Sequence, residues 1–287
     1  MEAGSRRGGK SPERARPRGA AVRPDVPGPE EVKDLDILVA LKWIPDPELP
    51  DTLLSFADGR AGPRVPHTVG LFDKVGLEIA LGLRESLPGT RVRCVSIGPK
   101  EANEALRLAL TYLVDDARRI DLDCSFDTMM AARALEAHLR TMDLPDLILV
   151  GEQSGDWDQG IFGPALAALL GFPFLPRLLS IASQADGQVR IEHVIDDHRE
   201  ETVLAPLPLV ASVTLIPNLK LRQPKLKDMI AAKRREVLVE AGDAAPSLAL
   251  ERLEKAERPV THCEFLEGTL EEQVARAAEI LAEWRST

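Results

Sequence analysis

The segment from Gly151 to Gly160 holds the side chains with the clearest chemical potential in this sequence. It reads Gly-Glu-Gln-Ser-Gly-Asp-Trp-Asp-Gln-Gly, follows an apolar run and precedes a second one. If those runs are a strand and a helix, the free N–H groups and the dipole at the helix start favour an anion such as phosphate. The loop matches neither a Walker A nor a G-x-G-x-x-G pattern. A phosphate site and a simple helix cap therefore both remain open.

Two carboxylates, Asp156 and Asp158, stand two residues apart in this loop. Hard cations prefer six or more oxygen ligands, so capping of the following helix by one of these residues is favoured over a metal site. Trp157 between them suits either stacking on a ring or filling the loop. None of the five histidines lies beside a Cys or Ser with a nucleophile signature. These features favour a carrier or binding protein over an enzyme.

Composition narrows the class of protein further. The 287 residues carry a net charge of -10, although residues 1–24 hold seven basic and two acidic residues. An acidic body argues against nucleic acid as a partner. Cys94, Cys124 and Cys263 are too far apart for a zinc site and indicate a reducing compartment, so we expect a cytoplasmic protein. The longest apolar run, 161–176, is broken by prolines and too short to span a membrane.

The elements that would position these residues follow from the apolar pattern. Residues 1–34, rich in Arg, Pro and Gly, are expected to be a disordered extension. Strands are predicted at 36–41, 91–97, 118–122 and 144–150, with helices at 72–87, 101–113, 128–142 and 160–170. This alternation predicts βαβ units in a doubly wound, mostly parallel α/β sheet, whose ligands bind at the carboxyl ends of the strands.

The pattern changes after Phe174. Short strands are predicted at 178–182, 189–195, 202–205 and 209–215, the first two joined by a turn at 185–187, as antiparallel edge strands. His193 and His198 would then be cross-strand surface residues. A basic, Pro-broken stretch at 220–235 precedes an extended arm at 239–265. The run Thr269-Leu-Glu-Glu272 is a capping box that opens an amphipathic helix to Arg285, which we expect to dock on another surface.

Several short motifs follow one another along the chain from about Asp36. They are Ile37-Leu-Val-Ala-Leu-Lys42 with Pro45-Asp46-Pro47, Phe72-Asp-Lys-Val-Gly-Leu-Glu-Ile-Ala80 with Leu83-Arg84-Glu85, Val95-Ser-Ile-Gly-Pro99 with Glu104-Ala-Leu-Arg-Leu-Ala-Leu110, Leu149-Val-Gly-Glu-Gln153 through Asp156, Asp158 and Gly163, and Leu207-Pro208 with Leu221-Arg-Gln-Pro224 and Met229-Ile-Ala-Ala-Lys-Arg-Arg235. Each motif is weak singly, but their order and spacing together are fairly specific. On these motifs the chain, from about Asp36 to its C-terminus, resembles the beta subunit of the electron transfer flavoproteins.

The resemblance implies an electron carrier with a Rossmann-like fold of the adenine-nucleotide alpha-hydrolase type. Such a subunit pairs with an alpha subunit that holds the redox FAD, and flavin dehydrogenases dock on its recognition loop. It usually binds AMP itself, while a bifurcating subgroup binds a second FAD instead. The implied organisation is a nucleotide-binding domain at 35–236, including a recognition loop at 216–228, and a C-terminal arm and helix at 237–287 that dock on the partner subunit.

The same resemblance implies the site residues. The cofactor-binding set is Ala40, Gly70, Leu71, Phe72, Asp73, Ile97, Gly151, Gln153, Ser154, Gly155, Asp156, Asp158, Gln159, Gly160, Ile161 and Phe162. The partner-recognition set is Leu221, Arg222, Pro224, Lys225 and Lys233. Neither a catalytic residue nor a metal ligand is implied, and Phe72 falls where the family places an aromatic residue near the isoalloxazine ring.

This sequence departs from the family pattern at two places in the pocket. Gly70-Leu71 replaces Asn-Pro, and Gly160-Ile-Phe162 replaces a stretch that carries amide and hydroxyl donors. Backbone N–H groups could still hold a phosphate, so AMP remains open, whereas side-chain bulk disfavours a second FAD. Two other classes stay as alternatives: a nucleotide-binding regulator of the universal-stress-protein type, and an adenylating enzyme. The latter is disfavoured because no S-G-G-x-D-S follows the first strand.

Overall fold

The computed structural model describes residues 34–50, 53, 55–57, 60–61, 65–124, 126–183, 187–196, 199–253, 263 and 265–284. It divides the chain into two compact units, one of residues 1–44 and 67–247 and one of residues 45–66 and 248–287. Of the extension predicted at 1–34, residues 1–33 lie outside the described residues. His198 also lies outside them.

Strands and helices alternate along most of the chain. The strands are β1 (Asp36–Ala40), β2 (Trp43–Pro45), β3 (Phe56–Ala57), β4 (Arg60–Ala61), β5 (His67–Val69), β6 (Arg91–Gly98), β7 (Asp116–Asp121), β8 (Leu147–Gly151), β9 (Phe174–Ser183), β10 (Gln188–Asp196), β11 (Arg199–Pro206), β12 (Leu209–Val213) and β13 (Leu238–Ala241). The α-helices are α1 (Leu71–Ser86), α2 (Asn103–Leu110), α3 (Thr128–Leu139), α4 (Phe162–Leu170), α5 (Leu226–Ala232) and α6 (Leu270–Trp284), and a 3₁₀ turn at Lys100–Ala102 precedes α2.

Nine strands form the main sheet, in the order β11-β10-β9-β12-β8-β1-β6-β7-β13. All neighbours from β9 to β13 in this order pair in parallel, and only β10 and β11 are antiparallel to their neighbours. The predicted doubly wound, mostly parallel sheet with antiparallel edge strands is confirmed. The chain leaves β1 toward β6 on one side and returns to β8 on the other, so a topological switch point lies between β1 and β8.

The core has two layers because alternate residues of each central strand face opposite sides of the sheet. Ile37 and Val39 of β1 join the cluster that includes α1 and α2, whereas Leu38 joins the cluster that includes α3 and α4. Burial on both faces explains why the central strands are continuous apolar runs rather than alternating ones. It also fixes their carboxyl ends, where loops can form a ligand site.

Two predictions about strands need correction. Leu209–Val213, expected at an antiparallel edge, is the parallel strand β12 between β8 and β9, and all five of its residues are buried. Residues 238–241, expected to begin the C-terminal arm, instead form β13, which pairs in parallel with β7. Residues 67–247, which include β13, belong to the larger unit. Strand β12 follows the hairpin strands rather than a helix, and β13 follows only the short helix α5, so the local sequence lacks the long strand–helix–strand pattern that predicts parallel pairing.

The hairpin predicted between the first two later strands is confirmed, because β9 and β10 pair antiparallel. Its turn lies mostly outside the described residues. His193 on β10 lies opposite Glu201 on β11, as a cross-strand role requires, with 3.8 Å between Nε2 and the carboxylate. Its side chain is mostly buried rather than at the surface, with 11% exposed.

The smaller unit contains the two-stranded β3–β4 ladder and helix α6. The predicted capping box of α6 is confirmed: the Thr269 N–H donates to Oε2 of Glu272 at 2.8 Å, and the Glu272 N–H donates to Oγ1 of Thr269 at 3.4 Å. The helix has no buried residue, and Leu270 and Trp284 are about three-quarters exposed. Over the described part of the chain, no helix is long and apolar enough to cross a membrane.

Candidate functional site

A cavity of about 100 Å³ lies at the switch point, at the carboxyl ends of β1, β6 and β8. Ala40, Ile97 and Val150 from these strands form its apolar wall, together with Ala131 of α3. Its lining includes hydroxyl and amide residues of α3 and the loop after β8, which are Thr128, Gln153, Ser154 and Gln159. The cavity therefore combines an apolar surface with hydroxyl and amide groups at the edge of the sheet where α/β folds bind ligands.

The structure brings together some of the predicted cofactor residues. Those that line the cavity are Ala40, Asp73, Ile97, Gly151, Gln153, Ser154, Gln159, Gly160 and Phe162. Those outside its lining are Gly70, Leu71, Phe72, Gly155, Asp156, Asp158 and Ile161. Leu71 and Ile161 are both more than 40% exposed. Phe72 lies beside the cavity, since it is close to the lining residue Gly151: a Cβ added to Gly151 would lie 3.0 Å from the Cβ of Phe72.

The cavity also contains residues that the sequence analysis missed. They are Leu41, Lys42, Cys124, Thr128, Ala131, Val150 and Glu152. Cys124 and Thr128 follow β7, so the rule that ligands bind after parallel strands could have pointed to them. The buried side chain of Asp127 accepts a hydrogen bond from the N–H of Met130 at 2.9 Å. This N-cap holds the start of α3, and with it Thr128, against the cavity.

Asp73 is the most unusual titratable group in the cavity. Its residue is 8% exposed, and its Oδ2 accepts a hydrogen bond from the backbone N–H of Lys42 at 2.7 Å. Burial raises the pKa of this carboxyl group to about 7, although hydrogen bonds from the backbone of Lys42 and Gly151 and the Lys42 charge act in the opposite direction. Asp73 thus links the segment after β1 to the segment after β8, and its proton can be exchanged near neutral pH.

Lys42 connects to the loop after β8 through its side chain. Its Nζ lies 2.8 Å from Oδ2 of Asp156, whose side chain is 12% exposed. Lys42 is also the only cationic residue among the cavity's lining residues. Asp73 and Asp156 therefore share one ammonium group, the first through its charge and the second by a direct ion pair.

The prediction that Asp156 or Asp158 caps the following helix is wrong. Helix α4 begins at Phe162, its N-cap position is Ile161, and no side chain caps it. Asp156 is instead engaged by Lys42, and Asp158 has a left-handed backbone with φ of 51°. Across the residues that the structure describes, no group of three His, Cys, Asp or Glu side chains could hold a metal ion.

Trp157 packs within the protein rather than into the cavity. Its ring meets that of Phe126 edge to face, with 6.3 Å between the ring centres. Gln159 approaches the same segment, since its Nε2 lies 3.4 Å from the backbone oxygen of Phe126. These contacts attach the loop after β8 to the segment before α3, so of the two roles considered for Trp157 the structure favours filling the loop.

The predicted recognition residues lie at and beside α5. Arg222 is attached to α1 by several contacts. Its guanidinium lies 2.7 Å from Oε1 of Glu78 and also pairs with Glu85, and its backbone N–H donates to Oε2 of Glu78 at 3.0 Å. The hydroxyl of Tyr112 donates to the backbone oxygen of Arg222 at 2.8 Å. Arg222 therefore fixes the loop, while Lys225 and Lys233 are exposed.

The helix that this loop introduces presents an apolar surface. Leu226, Met229 and Ile230, at helical spacing on α5, are 73%, 42% and 53% exposed. Within residues 220–235 seven Lys and Arg residues accompany a single acidic residue, Asp228. We call the surface formed by the exposed residues of 225–234 the α5 patch. It combines apolar side chains with positive charge on a chain whose net charge is -10.

Comparison with known proteins bears on both surfaces. The model of the electron transfer flavoprotein domain matches residues 64–244. An electron transfer flavoprotein subunit beta of Thermoanaerobacterium thermosaccharolyticum is 30% identical over 219 residues, which cover 73% of this chain and 79% of that protein. Its counterpart in Megasphaera elsdenii is 28% identical over 71% of this chain and 77% of the relative. The protein FixA of Azorhizobium caulinodans is 28% identical over 71% and 74%.

Proposed function

The chain belongs to the electron transfer flavoprotein beta-subunit family, and we propose that it pairs with an FAD-bearing alpha subunit to carry electrons from flavin dehydrogenases to a downstream acceptor. The observation that carries this proposal is the family match over residues 64–244, which include the α5 patch and every lining residue of the cavity except Ala40, Leu41 and Lys42. The chain itself would be a carrier rather than an enzyme. The relatives named above are beta subunits or FixA, and they give no support to the universal-stress-protein alternative.

The redox FAD would be held mainly by the alpha subunit and would supply the one- and two-electron chemistry. This chain offers it an apolar rim rather than a complete site. Phe72 is half-buried and Leu71 is 43% exposed, and both begin α1 beside the cavity. Their part would be to contact the flavin at the subunit interface and to exclude water from it.

The cavity suits AMP in its chemistry. Its apolar wall can contact a base, its hydroxyl and amide side chains can bind a ribose, and Lys42 with the uncapped start of α4 can face a phosphate. Its volume of about 100 Å³ is below the ~300 Å³ of small ligand pockets, so only part of the nucleotide would be enclosed. A second FAD is larger and fits less well.

The α5 patch would bind the dehydrogenase. Exposed apolar residues surrounded by positive charge fit an acidic surface with an apolar pocket, and the clamp at Arg222 would keep the patch in one position. Helix α6, which buries none of its residues in this chain, would dock on the alpha subunit. Cys94 and Cys124 are free thiols in the core, which agrees with the cytoplasmic location we propose.

Co-expression with a cognate alpha subunit tests the proposal. A yellow 1:1 complex should elute from size-exclusion chromatography, and its FAD should be reduced by a cognate flavin dehydrogenase. A colourless chain that remains separate from the alpha subunit under the same conditions would contradict the proposal. Heat release followed by mass spectrometry would then identify AMP, FAD or no nucleotide in the cavity.

A further inference from the structure

We propose that the cavity binds the phosphate group of its nucleotide together with one proton, which is taken from solvent and held on the carboxyl group of Asp73. This inference rests on the proposed nucleotide pocket and adds a specificity residue to it. Asp73 would decide how tightly a charged nucleotide binds, by neutralising itself when the anion enters.

The first support is the position of the carboxyl group. Asp73 lines the cavity, and its Oδ2 accepts the hydrogen bond from the Lys42 N–H at 2.7 Å. A Cβ added to Gly151 would lie 2.6 Å from Oδ1, so glycine at this position leaves room for the second oxygen. The carboxyl group is therefore enclosed between the chain segments after β1 and β8 and cannot turn away from a ligand.

The second support is the balance of charge around it. The charged groups that act on Asp73 are Lys42, after β1, and Asp156, in the loop after β8. Lys42 is already paired with Asp156 at 2.8 Å. Glu152, the other acid in the lining, lies 3.5 Å from Nε of Arg177. A phosphate entering the cavity would thus meet one ammonium group that two carboxylates already share.

A proton on Asp73 removes this conflict. Because Asp73 lines the same cavity, an anion bound there lies near its carboxylate, and nearby like charges disfavour each other. Because burial already brings the pKa of Asp73 to about 7, the further rise caused by an anion makes the group neutral in the complex at pH 7–9. Uptake of one proton weakens binding by up to tenfold per unit of pH above the pKa of the free site.

Calorimetric titration of the nucleotide-free heterodimer with AMP at pH 7, 8 and 9 tests the inference. We expect AMP affinity to fall about tenfold per pH unit above pH 7.5, and heats at pH 8 measured in two buffers of different ionisation enthalpy to report uptake of about one proton. Adenosine, which carries no phosphate, should bind with little dependence on pH. Asp73→Asn should remove the pH dependence for AMP, whereas the matched variant Glu152→Gln should keep it.

Each outcome decides the question. Affinity for AMP that is independent of pH, the same slope in Asp73→Asn, an equal slope for adenosine, or no AMP binding at any pH would overturn the inference. If Asp73→Asn does not fold, the buffer comparison on the unmodified heterodimer still measures the proton directly. Failure of the proposed function would appear earlier and separately, because no yellow heterodimer would form.

Discussion

Titration of Asp73 makes the stability of the folded chain depend on pH. Its pKa is about 7 in the folded chain against 3.8 for the unfolded reference, so between these values the folded state holds a proton that the unfolded state has lost. Stability from this group is complete below pH 3.8 and falls as the pH rises through 7, by roughly 4 kcal/mol as an upper bound. The cause of this loss is that, above pH 7, the folded chain must bury an ionised carboxylate away from water.

We therefore expect urea unfolding of Asp73→Asn to show a smaller loss of stability between pH 5.5 and pH 8.5 than the unmodified chain. The comparison uses the difference between the two proteins, because other groups titrate in both. Equal slopes in the two proteins would contradict the assigned environment of Asp73.

Gly151 is a second residue whose identity the site demands. An added Cβ would lie 2.6 Å from Asp73 Oδ1 and 3.2 Å from the backbone oxygen of Gln153. Gly151→Ala should destabilise the chain by about 2 kcal/mol or more, because the backbone at the end of β8 must shift. Gly82→Ala on α1 is the matched control, since its Cβ would meet nothing within 4 Å. The control should stabilise by about 0.5–1 kcal/mol in the same thermal unfolding measurement.

At this scale the sequence predicted which loop lines the cavity better than it predicted the contacts that this loop makes. The polar loop between a strand and a helix indicated the position of Gln153, Ser154 and Gln159 without any structure. The pairing of Lys42 with Asp156 joins residues 114 apart in sequence, so no local pattern contained it. The capping prediction failed for the same reason, because the carboxylate had a distant partner.

At the scale of elements, apolar periodicity predicted helices α1 to α4 and the buried strands to within a few residues, whereas helix α5 was not predicted. It failed where topology rather than composition decides the neighbour of a strand. Strand β12 lies inside the sheet because β8 and β9 pair with its two edges, and β13 joins β7 after a long excursion. The capping box of α6, in contrast, is a local interaction and was predictable from four residues.

The loop before α5 depends on a single arginine. Arg222→Met would remove the hydrogen bonds to Glu78, whose side chain is 13% exposed, and leave that carboxylate without its strongest partner. We expect a loss of roughly 2 kcal/mol in stability, as for charge-assisted hydrogen bonds. Hydrogen exchange measured by mass spectrometry should become faster across residues 219–232.

Lys225→Met is the matched control for this change, because Lys225 is exposed and its replacement by Met removes the same positive charge. Exchange across 219–232 should stay at the level of the unmodified chain in this control. Arg222 is the main cause that holds the pKa of Glu85 below its ordinary value, and the charge of Lys225 is a smaller one, so this pKa should rise more in Arg222→Met than in Lys225→Met. Equal exchange in the two variants would show that Arg222 does not hold the loop.

Over the whole molecule, charge is separated between an acidic body and the α5 patch. Residues 220–235 sum to +6, so the remainder of the chain sums to about -16. Such separation orients an approaching acidic partner and makes association sensitive to salt.

The double variant Lys225→Glu with Lys227→Glu should slow electron transfer from a cognate dehydrogenase at 20 mM salt. The further decrease in rate between 20 mM and 200 mM salt should be smaller than in the unmodified chain. The control Lys100→Glu changes the net charge outside the patch and should leave the salt dependence unchanged.

The division into two compact units allows folding of the main sheet and pairing with the alpha subunit to be tested separately. The main sheet, including β13, is complete by Ser247, whereas α6 lies in the smaller unit and buries no side chain. A chain ending at Ser247 should keep its cooperative unfolding transition within a few degrees of the full-length chain and yet lose pairing with the alpha subunit in size-exclusion chromatography. A chain ending at Arg235 also loses β13, exposes the edge of β7 and should aggregate or unfold at a much lower temperature, because an uncovered strand edge is prone to association. If the chain ending at Ser247 still formed the heterodimer, docking would have to reside in the residues before 248, and the role proposed for α6 would be wrong.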